Sequence, residues 1–283
     1  MNPPLILVTG ATGMIGSLLV NELVTRGVPF RAMVRETKGD VRGADVVQGD
    51  FNDPASLARA LEGVERAFLI TNSSERTEAQ QKAFVAAARD AGVRRVVKLS
   101  QFAAREDSPV RFLRYHAAVE AAIRDSGMDW TFVRPNLILQ AYLAFAPMIE
   151  QGLLQAPIGD ARVSVVDARD IAAVAAAALV EDDHAKTTYT VTGPEAVDHA
   201  EIADAFGRAA GHPVRFESVT PETFGAMLKG FGMPTWQAEG LLEDYAHYDR
   251  GEATTVSPDV ERVTGKPPRN LEDFAREHAN AFR

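Results

Sequence analysis

Leu5-Ile6-Leu7-Val8-Thr9-Gly10-Ala11-Thr12-Gly13-Met14-Ile15-Gly16 is the stretch that decides the fold of this 283-residue chain. A short apolar run of strand type enters a loop with glycines at 10, 13 and 16, and an amphipathic helical stretch, Met14–Arg26, leaves it. Gly10 permits a tight turn, Gly13 lets a phosphate approach the backbone, and Gly16 lets the helix press on the sheet. The helix N-terminus then presents unpaired N–H groups and the positive end of its dipole to an anion. Set between strand and helix, this GxxGxxG spacing reads as a dinucleotide pyrophosphate loop made by Gly10, Thr12, Gly13, Met14 and Ile15. No Gly-Lys-Ser/Thr follows, so a nucleoside-triphosphate loop of the Walker type is excluded.

The same alternation continues outward from the loop. Strands are expected at Leu5–Thr9, Phe30–Val34, Asp45–Gln48, Ala67–Ile70, Arg95–Leu99 and Trp130–Val133. Helices are expected at Met14–Arg26, Pro54–Leu61, Glu75–Ala91 and Val110–Ser126. Gly27, Gly63, Gly92 and Gly127 each stand just past a helical run, where a left-handed residue ends a helix. Near-continuous apolar strands separated by helices define an α/β protein with a Rossmann-type, doubly wound parallel sheet. Residues 1–136 form the expected dinucleotide-binding core. Residues 137–283 are mainly a smaller C-terminal substrate lobe, with segments near 163–192 returning to the core. In that half Leu137–Gly152 reads as an aromatic, Ala-rich helix, Asp167 as the cap of a helix from Ala168 to about Val180, Tyr189–Val191 as a late strand joining the sheet, and Val214–Val219 as a strand.

Composition narrows the function. Thirty Lys+Arg against thirty-nine Asp+Glu give a formal charge of −9, which offers no basic groove for nucleic acid. Cysteine is absent, so disulfides, thiolate catalysis and Cys-ligated metals are excluded, and the six histidines lack metal-ligand spacing, so no metal is expected. No apolar run approaches the ~20 residues that span a bilayer, and a cytoplasmic protein with no membrane role is expected.

The second strand selects the dinucleotide. An NAD site places a carboxylate at the end of that strand to bind the ribose 2′-hydroxyl, whereas here the strand ends Met33-Val34-Arg35. A guanidinium there pairs with a 2′-phosphate through forked hydrogen bonds, so NADP(H) is preferred over NAD(H).

The TGATGxIG loop, Arg35, Gly49-Asp50-Phe51 before Pro54, Arg134-Pro135, Asp167–Ala172 and Val191-Thr192-Gly193-Pro194-Glu195 together resemble the NmrA-like group of atypical short-chain dehydrogenases/reductases. That group includes NADPH-dependent quinone and triphenylmethane-dye reductases as well as non-catalytic NADP sensors. The resemblance implies that Asp50 and Phe51 border the adenine, that Ile70, Thr71 and Asn72 line the ribose and nicotinamide, and that Pro135 and Asn136 border the nicotinamide face. Read without the family, Asp50 also has a reading as a helix-entry or turn residue before Pro54, and Asn72 as a cap for the helix beginning near Glu75.

A typical short-chain reductase carries Tyr-x-x-x-Lys on one helix, the lysine lowering the tyrosine pKa and the tyrosine giving its proton to the carbonyl oxygen. The five tyrosines, at 115, 142, 189, 245 and 248, are followed four residues later by Val119, Ala146, Gly193, Asp249 and Glu252, so the pair is absent. The resemblance puts His116 at the lysine position and Phe112 at the tyrosine position. Tyr115, one residue from His116, is expected to face elsewhere, since one residue rotates a helix by about 100°. His116, and Ser100, which the resemblance puts at the position of a substrate-contacting serine, are then the candidate catalytic residues. Each also has a bland reading, as a half-buried histidine satisfied by a neighbour and as a hydroxyl at a strand end.

Without the tyrosine, simple ketones are poor substrates, because an unstabilised alkoxide is costly. Quinones, conjugated enones and cationic dyes spread the incoming charge, so a small aromatic or conjugated substrate is expected. Phe102, Tyr142, Phe145, Phe231 and Trp236 are candidate walls for it. The competing function is a non-catalytic NADP(H)-binding redox sensor acting through a protein partner. A homodimer is left open by the sequence.

Overall fold

The computed structural model describes residues 5–36 and 41–283. Elements are numbered in chain order. By internal contacts the chain divides into two compact units: Met1–Asp107, Leu113–Arg134 and Ile171–Thr190 form the first, and Ser108–Phe112, Pro135–Asp170 and Val191–Arg283 the second.

The first unit follows the expected alternation: β1 (Ile6–Val8), α1 (Met14–Thr25), β2 (Phe30–Val34), β3 (Asp45–Gln48), α2 (Pro54–Ala60), β4 (Arg66–Leu69), α3 (Thr77–Asp90), β5 (Arg95–Leu99), α4 (Arg111–Asp125) and β6 (Asp129–Pro135). Together with β10 (Thr187–Val191) these strands form a seven-stranded sheet in the order β10-β6-β5-β4-β1-β2-β3. The pairs from β3 to β6 are all parallel. The chain winds one way from β1 to β3 and the other way from β4 to β6, so the winding reverses between β1 and β4. Open α/β sheets bind ligands outside the carboxyl ends of the strands at this kind of switch point.

Burial explains why the apolar runs read so clearly. Leu7, Leu69, Val96 and Phe132 from the strands and Leu57, Phe84 and Ile123 from the helices are fully buried in one cluster. Each such side chain contributes about 1.5–3 kcal/mol relative to exposure. Helix α2 is held by Asp53, whose carboxylate accepts from Ala55 N at 3.0 Å, with Pro54 in the first turn where its missing N–H costs nothing.

The second unit contains β7 (Leu137–Ile138), α5 (Ala146–Glu150), β8 (Leu153–Ala156), β9 (Val163–Val166), the start of α6 (Ala168–Val180), β11 (Ala196–Val197), α7 (His199–Ala210), β12 (Arg215–Ser218), α8 (Pro221–Gly230), α9 (Thr235–Asp249), α10 (Asp259–Thr264) and α11 (Leu271–Glu277). Strand β9 lies between β7 and β11, and β8 pairs with β12. The continuous helix expected over Leu137–Gly152 is not formed. Residues 137–138 join a sheet, Leu139–Phe145 is a 3₁₀ turn, and a new α-helix begins at Ala146 with Pro147 in its first turn. Proline can neither donate to the preceding turn nor fit in a helix interior, so the helix restarts there. The other expected elements are present: the carboxylate of Asp167 caps α6 by accepting from Arg169 N at 2.8 Å, and Val214–Val219 contains β12. Among the described residues no helix is long and apolar enough to cross a membrane.

Candidate active site

The phosphate loop is built as its glycines require. Thr9 Oγ1, at the end of β1, accepts the Ile70 N–H at 2.9 Å and lies within 3.0 Å of the Phe68 and Ile70 carbonyl oxygens, tying the ends of β1 and β4 together. Gly10 adopts φ +59°, and a β-carbon on it would come within 2.7 Å of Ile70 Cγ2. A β-carbon on Gly16 would lie 2.0 Å from the Gly10 carbonyl oxygen, so only glycine lets α1 pack here. Gly13 is different: its β-carbon would meet nothing closer than that same oxygen at 3.3 Å. Gly13 is also the N-cap of α1, and no side chain caps the helix. The helix start is therefore an open cradle, which fits a pyrophosphate accepted by the first-turn N–H groups. Met14, in that turn, is half exposed.

Arg35 follows β2 with its side chain exposed, and its carbonyl oxygen accepts from Gln48 Nε2 at 3.1 Å. Asp50 lies close enough for Arg35 and Arg76 to act on its charge. Its carboxyl is lowered from the ordinary value mainly by the Asn52 backbone N–H, with those two guanidinium groups assisting against partial burial. Asp50 Oδ1 accepts both the backbone and side-chain N–H of Asn52 at 2.8 Å, so Asp50 does shape the turn. Oδ2 has no partner among the described residues and remains able to accept from an amine. Phe51 packs half-buried beside it, its ring 5.8 Å from that of Phe84.

At the end of β4, Thr71 Oγ1 accepts from Gln81 Nε2 at 2.9 Å. Ile70 is half-buried and Asn72 exposed. Asn72 does not cap α3, which begins at Thr77 without a side-chain cap; its carbonyl oxygen instead accepts from Thr77 Oγ1 at 2.9 Å. In the second unit Pro135 and Asn136 are buried, and both N–H donors of the Asn136 amide are committed, to Ser164 Oγ at 2.8 Å and to the Ala253 carbonyl oxygen at 2.9 Å.

The ends of β5 and β6 and the inner face of α4 hold a buried polar cluster. Lys98, the fourth residue of β5, has no exposed surface; its Nζ lies 2.7 Å from His116 Nδ1 on α4 and donates to the Leu99 carbonyl oxygen at 2.9 Å. Ser100 Oγ donates to Glu120 Oε1 at 2.6 Å. Glu120, one turn after His116 and also fully buried, is clamped by Arg134 through Nε–Oε1 at 2.8 Å and Nη2–Oε2 at 2.5 Å, and Arg124 adds a contact at 3.0 Å. His116 and Ser100 are thus two layers of one cluster whose charged members, Lys98, Glu120 and Arg134, carry no side-chain assignment from sequence. A lysine inside an apolar strand run has no local signature, and its partner lies eighteen residues away in the chain.

The electrostatics follow from burial and composition. Burial lowers Lys98 to about 7, Arg134 pushes the same way, and Glu120 opposes. His116 is held well below its ordinary value by burial first, then by the positive charges of Lys98 and Arg134. Burial would raise Glu120, but its hydrogen bonds with Arg134 and Ser100 and the charges of Arg134 and Lys98 outweigh it, leaving the carboxyl lowered. Near neutrality the cluster therefore holds a neutral imidazole, an ionised carboxylate and a lysine close to half protonation.

Tyr115, expected to face elsewhere, lies beside His116. The ring centroids are 4.2 Å apart, and its hydroxyl is 3.4 Å from Ser73 Oγ. Neighbouring side chains on a helix can converge when both rings are long enough to lean together, which the 100° rotation alone does not capture. Phe112, at the position of the missing tyrosine, packs in the second unit against Trp236 and Gly240, where a β-carbon would come within 2.3 Å of its ring.

The five aromatic candidates separate by environment. Phe102 is half-buried, on a turn whose next residue, Ala103, holds the left-handed φ of 58°. Tyr142 is in the core of the second unit, its hydroxyl 3.1 Å from His199 Nε2. Trp236 is half-buried, with the Arg111 guanidinium 5.6 Å over its ring. Phe145 is half-buried beside Phe231, which is 58 % exposed.

An open α/β sheet with a glycine loop, an arginine after its second strand and a buried polar cluster at the ends of β5 and β6 defines a dinucleotide-binding protein of Rossmann type. Residues 3–275 match the model of the NmrA-like family, and the chain belongs to that family. It is 39% identical to the NAD(P)H azoreductase of Xenophilus azovorans over 98% of this chain and 99% of that protein. It is 41% identical to the (4-alkanoyl-5-oxo-2,5-dihydrofuran-3-yl)methyl phosphate reductase of Streptomyces griseus, again over 98% and 99%. Among solved structures, the NADPH-dependent quinone oxidoreductase of Escherichia coli, complexed with NADPH, is similar with a TM-score of 0.88 and 28% identity, over 96% of this chain and 99% of that one.

Proposed function

We propose that this chain is an NADPH-dependent reductase that delivers hydride to a flat, electron-poor acceptor with a conjugated π-system, without a Tyr-x-x-x-Lys pair. It is an oxidoreductase by its relatives, whose named reactions reduce an azo bond, a dihydrofuranone and a quinone. All three acceptors delocalise the incoming electron pair, which is the chemistry that a site without the tyrosine can serve.

When bound, NADPH supplies hydride. The residues of the chain hold it and order the acceptor. The first-turn N–H groups of α1 with Gly13 take the pyrophosphate, Arg35 takes the 2′-phosphate, Asp50 Oδ2 accepts from the adenine amine, and Phe51, Ile70, Thr71 and Asn72 border the remainder. The second unit is the substrate-binding one in this reading, with the exposed Phe231 and its neighbour Phe145 offering an apolar surface to a planar ring.

The observation that carries the reading is the Lys98–His116 contact of 2.7 Å at the carboxyl edge of the sheet. A buried lysine held against an imidazole can hold and pass a proton, which a reductase of a neutral acceptor uses and which supports that reading over the sensor. His116 Nε2 has no partner among the described residues, and it is the atom that would meet the reduced acceptor. The test is NADPH oxidation by the wild type and by His116→Ala against a panel of quinones, conjugated enones, azo compounds and cationic dyes. Turnover that falls in the variant supports the reductase. Tight NADPH binding with no turnover across the panel would favour the redox sensor.

A further inference from the structure

His116 alone is a poor acid. Burial beside two cations keeps its imidazole neutral, and a neutral imidazole that gave up its Nε2 proton would become an imidazolate in a low-dielectric site. A second proton must reach Nδ1 as the first leaves Nε2. The residue at Nδ1 is Lys98.

Resting on the reductase reading above, we propose that Lys98 supplies this proton through His116, so that the two residues protonate the delocalised anion that hydride transfer leaves. A neutral acceptor, such as a quinone or a conjugated enone, gains an electron pair and a hydrogen from NADPH, which becomes NADP⁺, and is left with negative charge. The N–H bond at His116 Nε2 breaks as its proton passes to the acceptor, and a new N–H bond forms at Nδ1 with a proton from the Lys98 ammonium. The products are a neutral reduced acceptor, a neutral Lys98 amine and the opposite tautomer of a neutral His116. Return of the Nδ1 proton to Lys98, with uptake of a solvent proton at Nε2, restores the pair.

Three features fit this relay. The Lys98 ammonium can only donate at Nδ1, so while it is protonated the Nε2–H tautomer is selected, which is the one that can serve an acceptor. Lys98 Nζ is held in place by its second bond, to the Leu99 carbonyl oxygen. The charged groups that act on the pair are Glu120, on the same helix as His116, and Arg134, from β6. They oppose each other, so burial decides, and Lys98 stands near 7. An acid with that pKa is matched to neutral operation. Lys98 itself touches no substrate; it acts on the acceptor by setting and recharging His116.

The experiment compares the full-length wild type with Lys98→Met and Lys98→Arg. In turnover assays with NADPH and a quinone or conjugated enone, the wild-type kcat should fall as pH rises through about 7, because the protonated lysine is the working form. Lys98→Met should lower kcat by roughly a hundredfold, with KM little changed and that basic limb lost. Lys98→Arg retains a cation that does not release its proton, and it should fail to restore kcat. In parallel, nitrogen chemical shifts of the His116 ring in the cofactor-free protein should report the Nε2–H tautomer below pH 7, a response to Lys98 titration near that pH, and in Lys98→Met an imidazole that protonates at a higher pH than in the wild type. Full kcat in Lys98→Met or Lys98→Arg, or an Nδ1–H tautomer at pH 6, would overturn the relay while leaving the reductase reading standing. A wild type without turnover would defeat the reductase reading, and the relay with it.

Discussion

Arg134 grips Glu120 through two parallel hydrogen bonds, Nε to Oε1 at 2.8 Å and Nη2 to Oε2 at 2.5 Å, on a carboxylate with no exposed surface. This forked pair, closed from the other side by Ser100, orders the ends of β5 and β6 against the helix that carries His116. Removing one partner leaves a buried charge uncompensated, so Glu120→Ala should cost about 3–5 kcal/mol in denaturant unfolding. Ser100→Ala, which removes one hydrogen bond, should cost about 1 kcal/mol. The carboxyl is lowered in the folded state, so its contribution is complete above the pKa of an unfolded glutamate and is lost as pH falls through the folded value. Stability of Glu120→Gln measured against pH should lack that acid-side loss.

Two glycines of the phosphate loop should behave oppositely. Alanine at 16 drives a β-carbon to 2.0 Å from the Gly10 carbonyl oxygen, a backbone clash that outweighs the gain of about 1 kcal/mol in helix propensity. Gly16→Ala should therefore lower the Tm of the cofactor-free protein. Alanine at 13 meets only one contact, at 3.3 Å, so the cofactor-free Tm of Gly13→Ala should stay near wild type while its Kd for NADPH rises at least tenfold. Thermal melts and binding titrations on the two variants check both halves.

In the proposed reading Arg35 selects the dinucleotide. Arg35→Ala should raise the Kd for NADPH by roughly 10- to 100-fold, the loss of one charge-assisted fork, and leave that for NADH almost unchanged. Equal losses for both would remove Arg35 from the 2′-phosphate site.

Lys98 should lower stability as the cost of its protonation chemistry. The unfolded chain keeps this lysine charged up to its ordinary value of 10.5, whereas the folded protein releases the proton at about 7. Between those values the unfolded state binds more protons, so wild-type stability rises with pH through this window. Lys98→Met lacks that slope. The stability of the variant relative to wild type should therefore be greatest below pH 7, and the difference should shrink as pH rises towards 10.5. A variant that gains stability and loses turnover separates a functional role from a structural one.

The first unit was legible because its signals are local. Apolar strands such as Arg95–Leu99, helices of period 3.6, and Gly10, Gly13 and Gly16 at fixed spacing each announce themselves within a dozen residues. What stayed hidden depends on distance. Lys98 reads as one polar residue in a buried strand until α4 brings His116 to it, and nothing near Glu120 in the chain announces Arg134, which comes from β6. The stretch from Leu137 misled for another reason: its aromatic and alanine content favours helix, yet pairing of Leu137–Ile138 with β9 and the backbone of Pro147 override that preference. Tyr115 shows that helical rotation alone does not decide which rings meet.

Transfer of hydride from NADPH to an external acceptor is what separates a reductase from a sensor. The most direct measurement uses NADPH deuterated at C4 of the nicotinamide, on each face in turn, with an acceptor that takes hydride on carbon and then a proton, such as a conjugated enone. The product is analysed by mass spectrometry. Deuterium bound to product carbon from one face only, formed at a rate that falls in His116→Ala, is the predicted result. NADPH that binds tightly but gives no reduced product, or a product carrying no label from either face, would contradict the reductase reading.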